Sequence, residues 1–152
     1  MDESKTIKKL LEEYYQLHPE FGEQGGVSKT WFWIDIGFFK LPIPNLKGRQ
    51  ELVYMHDIHH ILNGYNTNWS GEAAVSGWEI ATGLGKGFTG WFYASLGFLV
   101  GILIRPVCVI KGFRRGLKTK GVLQLGLSKE KLLSMSLSEV KALTGHDKLN
   151  IF

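Results

Sequence analysis

The hydrophobic and polar positions follow the period of an α-helix over much of the chain. Between Ser4 and Leu17, apolar side chains recur every three or four residues, the pattern of an amphipathic helix. A second helix is predicted over residues 49–63, because this stretch has no internal Gly or Pro and meets Gly64 at a suitable C-cap. Ser70 suits the N-cap of a third helix, which a cluster of glycines over residues 83–87 ends.

Residues 88–104 carry no charged side chain. As one long apolar helix they would extend about 26 Å, slightly less than the hydrocarbon thickness of a bilayer. Arg105 and Pro106 end this run, and the residues that follow mix apolar and basic side chains, as interfacial helices do. Two short helices are predicted within residues 128–143.

The stretch between the first two helices has a different pattern. Residues 22–48 contain five glycines, two prolines and many aromatic side chains, which predicts an irregular segment that packs over a pocket. The chain has no alternating run longer than residues 31–38 and no internal repeat. We therefore expect an all-α fold, with residues 1–152 forming a single helical domain of five to seven helices.

Composition narrows the class of protein. With 44% hydrophobic and 21% charged residues, the chain fits neither a disordered protein nor a polytopic membrane protein. A lone cysteine, Cys108, excludes an internal disulfide and a thiolate metal site. The first 17 residues include acidic side chains and no continuous apolar run, unlike a secretory signal or a transit peptide. We expect the protein in a bacterial cytoplasm, peripheral to the inner membrane.

Positive charge is concentrated after the apolar run. Six basic residues lie in a window without Asp or Glu: Arg105, Lys111, Arg114, Arg115, Lys118 and Lys120. Anionic lipid headgroups and nucleic acid both attract such a window, and a solvated helix face is the alternative interpretation. Together with the apolar run, the window predicts a lipid-facing region over residues 88–120 and a membrane surface, not nucleic acid, as the partner.

The residues that can carry chemistry lie within residues 49–82. On a helix, His56 and His60 are one turn apart and Asp57 can converge on them, while Glu72 follows a turn that can bring it back to the same face. Two neutral imidazoles and two carboxylates balance the charge of a divalent cation, and zinc is the expected metal. The competing interpretation is a pair of core histidines at helical spacing.

The three other histidines are not expected to bind the metal. His59 points to the other side of the helix and is expected behind the ligands or at the surface. His18 and His146 lie in end segments and are expected in solvent.

At these residues the sequence resembles the ubiquinone (coenzyme Q) biosynthesis protein four family, whose hallmark is His-Asp-x-x-His, eleven residues, then Glu. His56, Asp57, His60 and Glu72 match this spacing. The resemblance extends over residues 62–65 and 71–74, and weakly over residues 137–141. We expect the chain to depart from the family by lacking a transit peptide and by its aromatic stretch at residues 31–39.

The resemblance implies a helical, membrane-associated protein in which these four residues bind the metal and act through it. It implies the oxidative removal of the ring carboxylate from a polyprenylated precursor derived from 4-hydroxybenzoate. Other quinone-biosynthesis proteins are then expected partners, and a homo-oligomer is expected.

Two other functions fit parts of the pattern. A non-enzymatic scaffold that binds prenyl lipids would use the metal only to fix two helices. A metal-dependent phosphohydrolase would use His18, His56, Asp57 and Asp147, which occur in the required order. A glycine pattern at residues 85–90 resembles a dinucleotide-binding fingerprint, but it lacks the preceding strand and the later acidic residue that such a site needs.

Overall fold

The computed structural model describes residues 2–19, 30–35, 40–85 and 87–151. Within these ranges the chain is mostly helical, as predicted, with seven α-helices, two 3₁₀ helices and one β-hairpin. The elements are α1 (Ile7–Leu17), β1 (Trp31–Asp35), β2 (Lys40–Pro44), α2 (Arg49–Asn63), α3 (Trp69–Thr82), α4 (Phe88–Ile104), α5 (Pro106–Gly116), a 3₁₀ helix (Val122–Leu125), α6 (Lys129–Ser134), α7 (Leu137–Thr144) and a second 3₁₀ helix (His146–Ile151).

The hairpin corrects the all-α prediction. β1 and β2 pair in antiparallel register, with Trp31 opposite Pro44 and Asp35 opposite Lys40. The sequence of β1 contains aromatic and β-branched residues, which favour an extended backbone. The prolines of β2 lack an N–H group but are tolerated because a two-stranded sheet has only edge strands. Residues 22–29 and 36–39 of the predicted irregular segment lie outside the described residues.

The main core joins the N-terminal helix to the C-terminal helices. Ile7 of α1, Ile58 of α2 and Leu137 of α7 are completely buried, and the 3₁₀ helix and α6 add further apolar side chains to the same cluster. The backbone N–H of Ile7 donates to the carbonyl of Met135 at 2.8 Å, which anchors the start of α1. This core covers one face of α2 and leaves its other face for a cavity.

Helix α3 packs closely between α4 and α5. A Cβ atom at Gly112 of α5 would lie 1.9 Å from the carbonyl oxygen of Ala74, and one at Gly77 of α3 would lie 2.3 Å from that of Val109. The two helix backbones therefore touch, and only glycine fits at these points.

Residues 88–104 form helix α4 with the predicted bounds, but it is not the long apolar helix that was expected. Helix α4 has 17 residues and ends where Arg105 adopts a non-helical conformation, with φ −141° and ψ 59°. Pro106 then begins α5, a position that proline favours because it has no N–H group to donate. Among the helices of the described ranges, none combines the length and the apolar character needed to cross a bilayer.

The ends of α2 and α3 position the candidate metal ligands. Helix α2 has the predicted bounds, and Gly64 caps it in the left-handed conformation with φ 68°. The N-cap of α3 is Asn68 and not Ser70, because the Asn68 side chain accepts hydrogen bonds from the N–H groups of Ser70 and Gly71. Glu72 consequently lies in the first turn of α3.

Candidate metal centre

Three of the four predicted ligands converge between α2 and α3. His60 Nε2 lies 3.1 Å from His56 Nε2, and the carboxylate of Glu72 lies 3.2 Å from each of these nitrogens. His60 is buried, whereas His56 and Glu72 are partly exposed. The group can therefore hold a metal ion at a point that ligands can reach.

The other ring nitrogens determine the protonation of both imidazoles. His60 Nδ1 lies 3.2 Å from the carbonyl oxygen of Tyr65, and His56 Nδ1 lies 3.0 Å from a carboxylate oxygen of Glu79. Each Nδ1 therefore carries hydrogen and donates it, so Nε2 is the atom of each ring that faces Glu72 and is available to a metal. Without a metal, protons on Nε2 make the hydrogen bonds to Glu72, and a divalent cation bound here would replace these protons.

The spacing of the three donor atoms fits a first-row metal. Bonds of about 2.0 Å in tetrahedral geometry place neighbouring ligand atoms about 3.3 Å apart, close to the 3.1 Å between the two Nε2 atoms. Glu72 directs Oε2 to His56 and Oε1 to His60, each at 3.2 Å. Two histidines and one glutamate leave one tetrahedral position for water or a substrate, as in catalytic zinc sites. The donor set suits zinc without identifying the metal.

Asp57 does not join the three ligands. Its Oδ2 accepts a hydrogen bond of 2.8 Å from the hydroxyl of Tyr15 on α1, because Asp57 lies about 100° around α2 from His56. Burial raises the pKa of the Asp57 carboxyl, against the lowering effect of His56 and Tyr15. Asp57 still lines the cavity beside the centre.

Glu79 is a functional residue that the sequence interpretation missed. Its Oε1 accepts hydrogen bonds from Nδ1 of His56, at 3.0 Å, and of His59, at 2.8 Å. His59 is accordingly buried behind the centre, 2% exposed, and its ring packs against Trp78. The signal was the spacing, because Glu79 follows Glu72 by seven residues and two helical turns place both on one face.

The imidazoles and carboxylates of the cluster shift one another's pKa values toward their charged forms. Burial acts to lower the pKa of His56, but the carboxylates of Glu79 and Glu72 outweigh it and raise the pKa well above its usual value. Burial acts to raise the pKa of Glu72, but hydrogen bonds from His56 and His60 lower it to about 2. Burial acts to raise the pKa of Glu79 as well, but His56 and His59 outweigh it and lower this pKa. Both glutamates are therefore anionic at neutral pH, and His56 carries a proton on Nε2 that a bound metal ion would displace.

The phosphohydrolase interpretation finds no support in the described residues. Asp147 is exposed, and neither Asp147 nor His18 belongs to the group that converges on the centre. His18 is half-buried, with Nδ1 3.5 Å from the hydroxyl of Thr67.

His146 also differs from the predicted solvated residue, because it is 3% exposed and its Nε2–H donates to Asn63 Oδ1 at 3.1 Å. Burial lowers its pKa to about 3. His146 thus joins the C-terminal 3₁₀ helix to α2 as a neutral ring.

A cavity of about 410 Å³ opens beside the candidate metal centre. His56, Asp57 and Glu72 form part of its wall, and most of the remaining wall is apolar. The apolar part includes Leu52, Val53, Ala73, Leu84, Ala94, Leu96, Val100 and Leu123. A mostly apolar cavity with a few convergent polar groups is typical of a small-molecule site.

The metal centre and the cavity together form one candidate site, open to an apolar ligand that carries oxygen atoms at one end. The site is built from α2 and α3 at the centre and from α4 along the cavity. Comparisons with protein-family models, with curated proteins and with solved structures found no match to the chain.

Proposed function

We propose that this protein is a metal-dependent enzyme of ubiquinone biosynthesis or of related prenyl-quinone metabolism. Its reaction would be the oxidative decarboxylation of a polyprenylated ring of the hydroxybenzoate type, in which carbon dioxide leaves, a hydroxyl group from water takes its place and an external two-electron oxidant accepts the electrons. The observation that carries the proposal is the convergence of His56, His60 and Glu72 at the wall of an apolar cavity. The pathway is inferred from the family hallmark, whose spacing His56, Asp57, His60 and Glu72 match.

In this reaction the side chains of the protein would bind and orient the substrate and transfer protons. A divalent cation, with zinc as the expected ion, would be held by the two imidazoles and Glu72, and it would polarise the oxygen atoms of a bound ring. Asp57 lies at the same cavity wall, where its carboxyl would exchange a proton with the substrate. Tyr15 keeps the Asp57 carboxyl in place.

The cavity is suited to the isoprenoid part of such a substrate. Its wall along α4 consists of small and apolar residues, among them Ala94, Leu96, Gly97 and Val100. Small residues keep the space open, and apolar burial stabilises a prenyl chain by about 0.8 kcal/mol for each CH₂ group. The polar atoms of the ring would then face the metal centre.

The outer surface of α4 and α5 suits a membrane that holds the substrate. Leu99, Ile102, Leu103, Val107 and Ile110 are exposed there, and five of the six basic residues of the window are exposed nearby. Apolar insertion and attraction to anionic lipids would act together, with about 1 kcal/mol from each basic residue near the surface. We propose peripheral attachment to the inner bacterial membrane.

A scaffold function is the alternative, and one feature favours it. The three ligands tie α2 to the first turn of α3, so a metal there would also stabilise the fold. In this case the protein would bind a prenyl lipid in the cavity and present it to other quinone-biosynthesis proteins. The predicted homo-oligomer is compatible with either function.

Metal content and complementation together test the enzymatic proposal. Elemental analysis is expected to find about one metal ion per chain, lost in a Glu72→Gln variant and retained in Glu12→Gln, which changes an exposed glutamate of α1. In a bacterial strain that lacks the ring-decarboxylation step, the wild type and Glu12→Gln should restore quinone synthesis, and Glu72→Gln should not.

Circular dichroism and retention of a prenyl lipid show whether the Glu72→Gln variant is folded. Full restoration of quinone synthesis by a metal-free Glu72→Gln variant would contradict the enzymatic function and support the scaffold function. Failure of the wild type to restore quinone synthesis would overturn both functions in this pathway.

A further inference from the structure

Arg115 is the exception among the six basic residues that follow the apolar run. The other five are exposed, whereas Arg115 is only partly exposed, and its Nε is buried without a hydrogen-bond partner among the described residues. Its guanidinium carbon lies 5.8 Å from the centroid of the Tyr65 ring. Turning a cation away from solvent costs free energy, and contact with an aromatic ring offsets part of this cost. Arg115 is therefore directed inward, to Tyr65.

The side chain of Tyr65 is held from two sides. Its ring packs against the main core, and Arg115 lies on the other side of it. Burial raises the pKa of the Tyr65 hydroxyl, while the charge of Arg115 and a polar contact with its side chain act to lower that pKa. The guanidinium therefore interacts with both the ring and the hydroxyl of this tyrosine.

The main chain of Arg115 is fixed against α3. Its carbonyl oxygen accepts a hydrogen bond of 3.1 Å from Thr119 Oγ1, which in turn accepts one of 2.9 Å from Trp78 Nε1. A Cβ atom at Gly116 would lie 2.7 Å from the carbonyl oxygen of Trp78, so the end of α5 touches α3. The side chain of Arg115 consequently extends to Tyr65 from a fixed position.

Tyr65 contacts a candidate metal ligand through its main chain. It follows Gly64, the C-cap of α2, and its N–H donates to the carbonyl oxygen of His60 at 3.0 Å. Its own carbonyl oxygen lies 3.2 Å from His60 Nδ1. Both polar groups of the Tyr65 main chain therefore engage His60, and a rotation of Tyr65 would turn its carbonyl away from the imidazole. A hydrogen bond of this kind fixes the ring orientation and the tautomer of a histidine ligand.

We propose that Arg115 positions His60 for metal binding through Tyr65. This inference rests on the proposed function, in which His60 is a ligand of the metal ion. The contacts extend from α5 to the centre, because the guanidinium of Arg115 holds the ring of Tyr65 and the main chain of Tyr65 holds the imidazole of His60. Arg115 belongs neither to the ligand group nor to the cavity wall. It is therefore a positioning residue, which acts on the metal through Tyr65 and His60.

Zinc affinity, measured in a double-mutant cycle, tests this role. Arg115→Gln and Tyr65→Leu should each lower the affinity by about 10-fold, the lower end of the range for groups that hold a metal ligand in place. Because both substitutions break the same contact, the double variant should bind zinc about as tightly as either single variant. Arg115→Lys keeps the charge beside the ring and should restore part of the affinity. Arg114→Gln, which changes an exposed neighbour on α5, is the matched control and should bind zinc like the wild type.

The visible spectrum of the cobalt-loaded protein supplies a second measurement. Zn²⁺ has a filled d shell and gives no such spectrum, whereas the absorption bands of Co²⁺ change with the geometry of its ligands. Arg115→Gln should shift these bands, because the imidazole of His60 loses its fixed orientation. A substitution that only destabilises the fold would leave the bands of the folded protein in place, and thermal unfolding of the metal-free variants measures that effect separately.

The outcomes separate this inference from the proposed function. Wild-type zinc affinity and an unchanged cobalt spectrum in Arg115→Gln, or additive losses in the double variant, would overturn the role of Arg115 even if the protein restores quinone synthesis. Non-additive losses in a protein that restores no quinone synthesis would support Arg115 as a positioning residue and overturn the proposed reaction. A wild type that binds neither zinc nor cobalt would overturn the metal centre and this inference with it. If Arg115→Gln does not fold, the zinc affinity and cobalt spectrum of Tyr65→Leu decide in the same way.

Discussion

Glu79 determines how the imidazole of His56 in the candidate metal centre is held. It is 4% exposed, and a buried carboxylate is tolerated only when its oxygen atoms accept hydrogen bonds. His56 and His59 supply these bonds through Nδ1. The bond to His56 fixes the plane of that ring and makes its Nε2 a better metal ligand. Glu79 is therefore a positioning residue, which acts on the metal through His56.

We expect Glu79→Gln to weaken metal binding without abolishing it. The neutral amide can still accept a hydrogen bond from His56, but it no longer stabilises positive charge on the ring, and losses of about 10- to 100-fold in affinity are typical for such partners. Competition with a zinc chelator at fixed pH measures the effect, with Glu12→Gln as the control. A folded Glu79→Gln variant with wild-type zinc affinity would show that Glu79 only packs the two histidines.

At the scale of single residues, spacing along the helices predicted which candidate ligands converge but not what surrounds them. His56 and His60 are one turn apart on any helix, so the sequence was sufficient for this pair. Whether Asp57 faces a metal or Tyr15 depends on where α1 packs against α2, and helical spacing carries no information on this. The buried positions of His59 and His146 likewise depend on contacts with distant elements, namely Glu79 and Asn63.

At the scale of elements, α2 separates the core from the cavity. Ile58, Ile61 and Leu62 face the main core, whereas Arg49 and His56 line the cavity. Packing on the core side thus fixes the orientation of the ligands on the other side. A binding site built on a packed helix is more precisely positioned than one built on a loop.

The contact of α3 with α5 gives a test of the fold at this scale. Gly112→Ala would place a Cβ atom 1.9 Å from the carbonyl oxygen of Ala74, so the two helices would have to move apart. We expect a loss of about 3 kcal/mol in the free energy of unfolding, or about 10 °C in melting temperature for a chain of this size. Thermal unfolding followed by circular dichroism measures this loss.

Gly87→Ala provides the matched control for this substitution. Gly87 has φ −82°, and a Cβ atom added there would have nothing within 4 Å of it. Its replacement at an N-cap should cost less than about 1 kcal/mol. Equal stability of the two alanine variants would show that α3 and α5 do not touch at Gly112.

The elements differ in how far the sequence predicts them. The ends of α2 follow from local signals, a run of helix formers followed by Gly64. The hairpin was missed because two prolines and clustered aromatics resemble a loop, and the pairing of Trp31 with Pro44 is a contact between separate segments. The N-cap of α3 was displaced by two residues because Asn68 and Ser70 are both good caps, and side-chain geometry decides between them.

At the scale of the whole molecule, the candidate metal centre, the cavity and the exposed apolar surface are connected through α4. Gly90, Gly97 and Gly101 lie on the cavity side of this helix, whereas Leu99, Ile102 and Leu103 are exposed on the other. Only α4 lies between the exposed apolar surface and the cavity. A prenyl substrate would therefore pass around a single helix to move from a bilayer into the cavity. This arrangement suits an enzyme that acts on a lipid without spanning the membrane.

Binding to vesicles tests this arrangement. Sedimentation with liposomes should increase with the fraction of anionic lipid and decrease as salt screens the basic residues. Leu103 and Val107 are 83% and 62% exposed near the junction of α4 and α5, so a Leu103→Asp, Val107→Asp variant should bind at least 10-fold more weakly while keeping its fold, because burial of each side chain contributes about 1.5 to 3 kcal/mol.

Leu17→Asp is the matched control for this double variant, since Leu17 is 76% exposed at the end of α1 and lies outside the proposed membrane surface. It should sediment like the wild type. If the double variant also binds vesicles like the wild type, the surface of α4 and α5 does not contact lipid, and the substrate must reach the cavity by another route. If both variants lose binding equally, attachment depends on exposed apolar residues in general, and the specific orientation proposed for α4 is wrong.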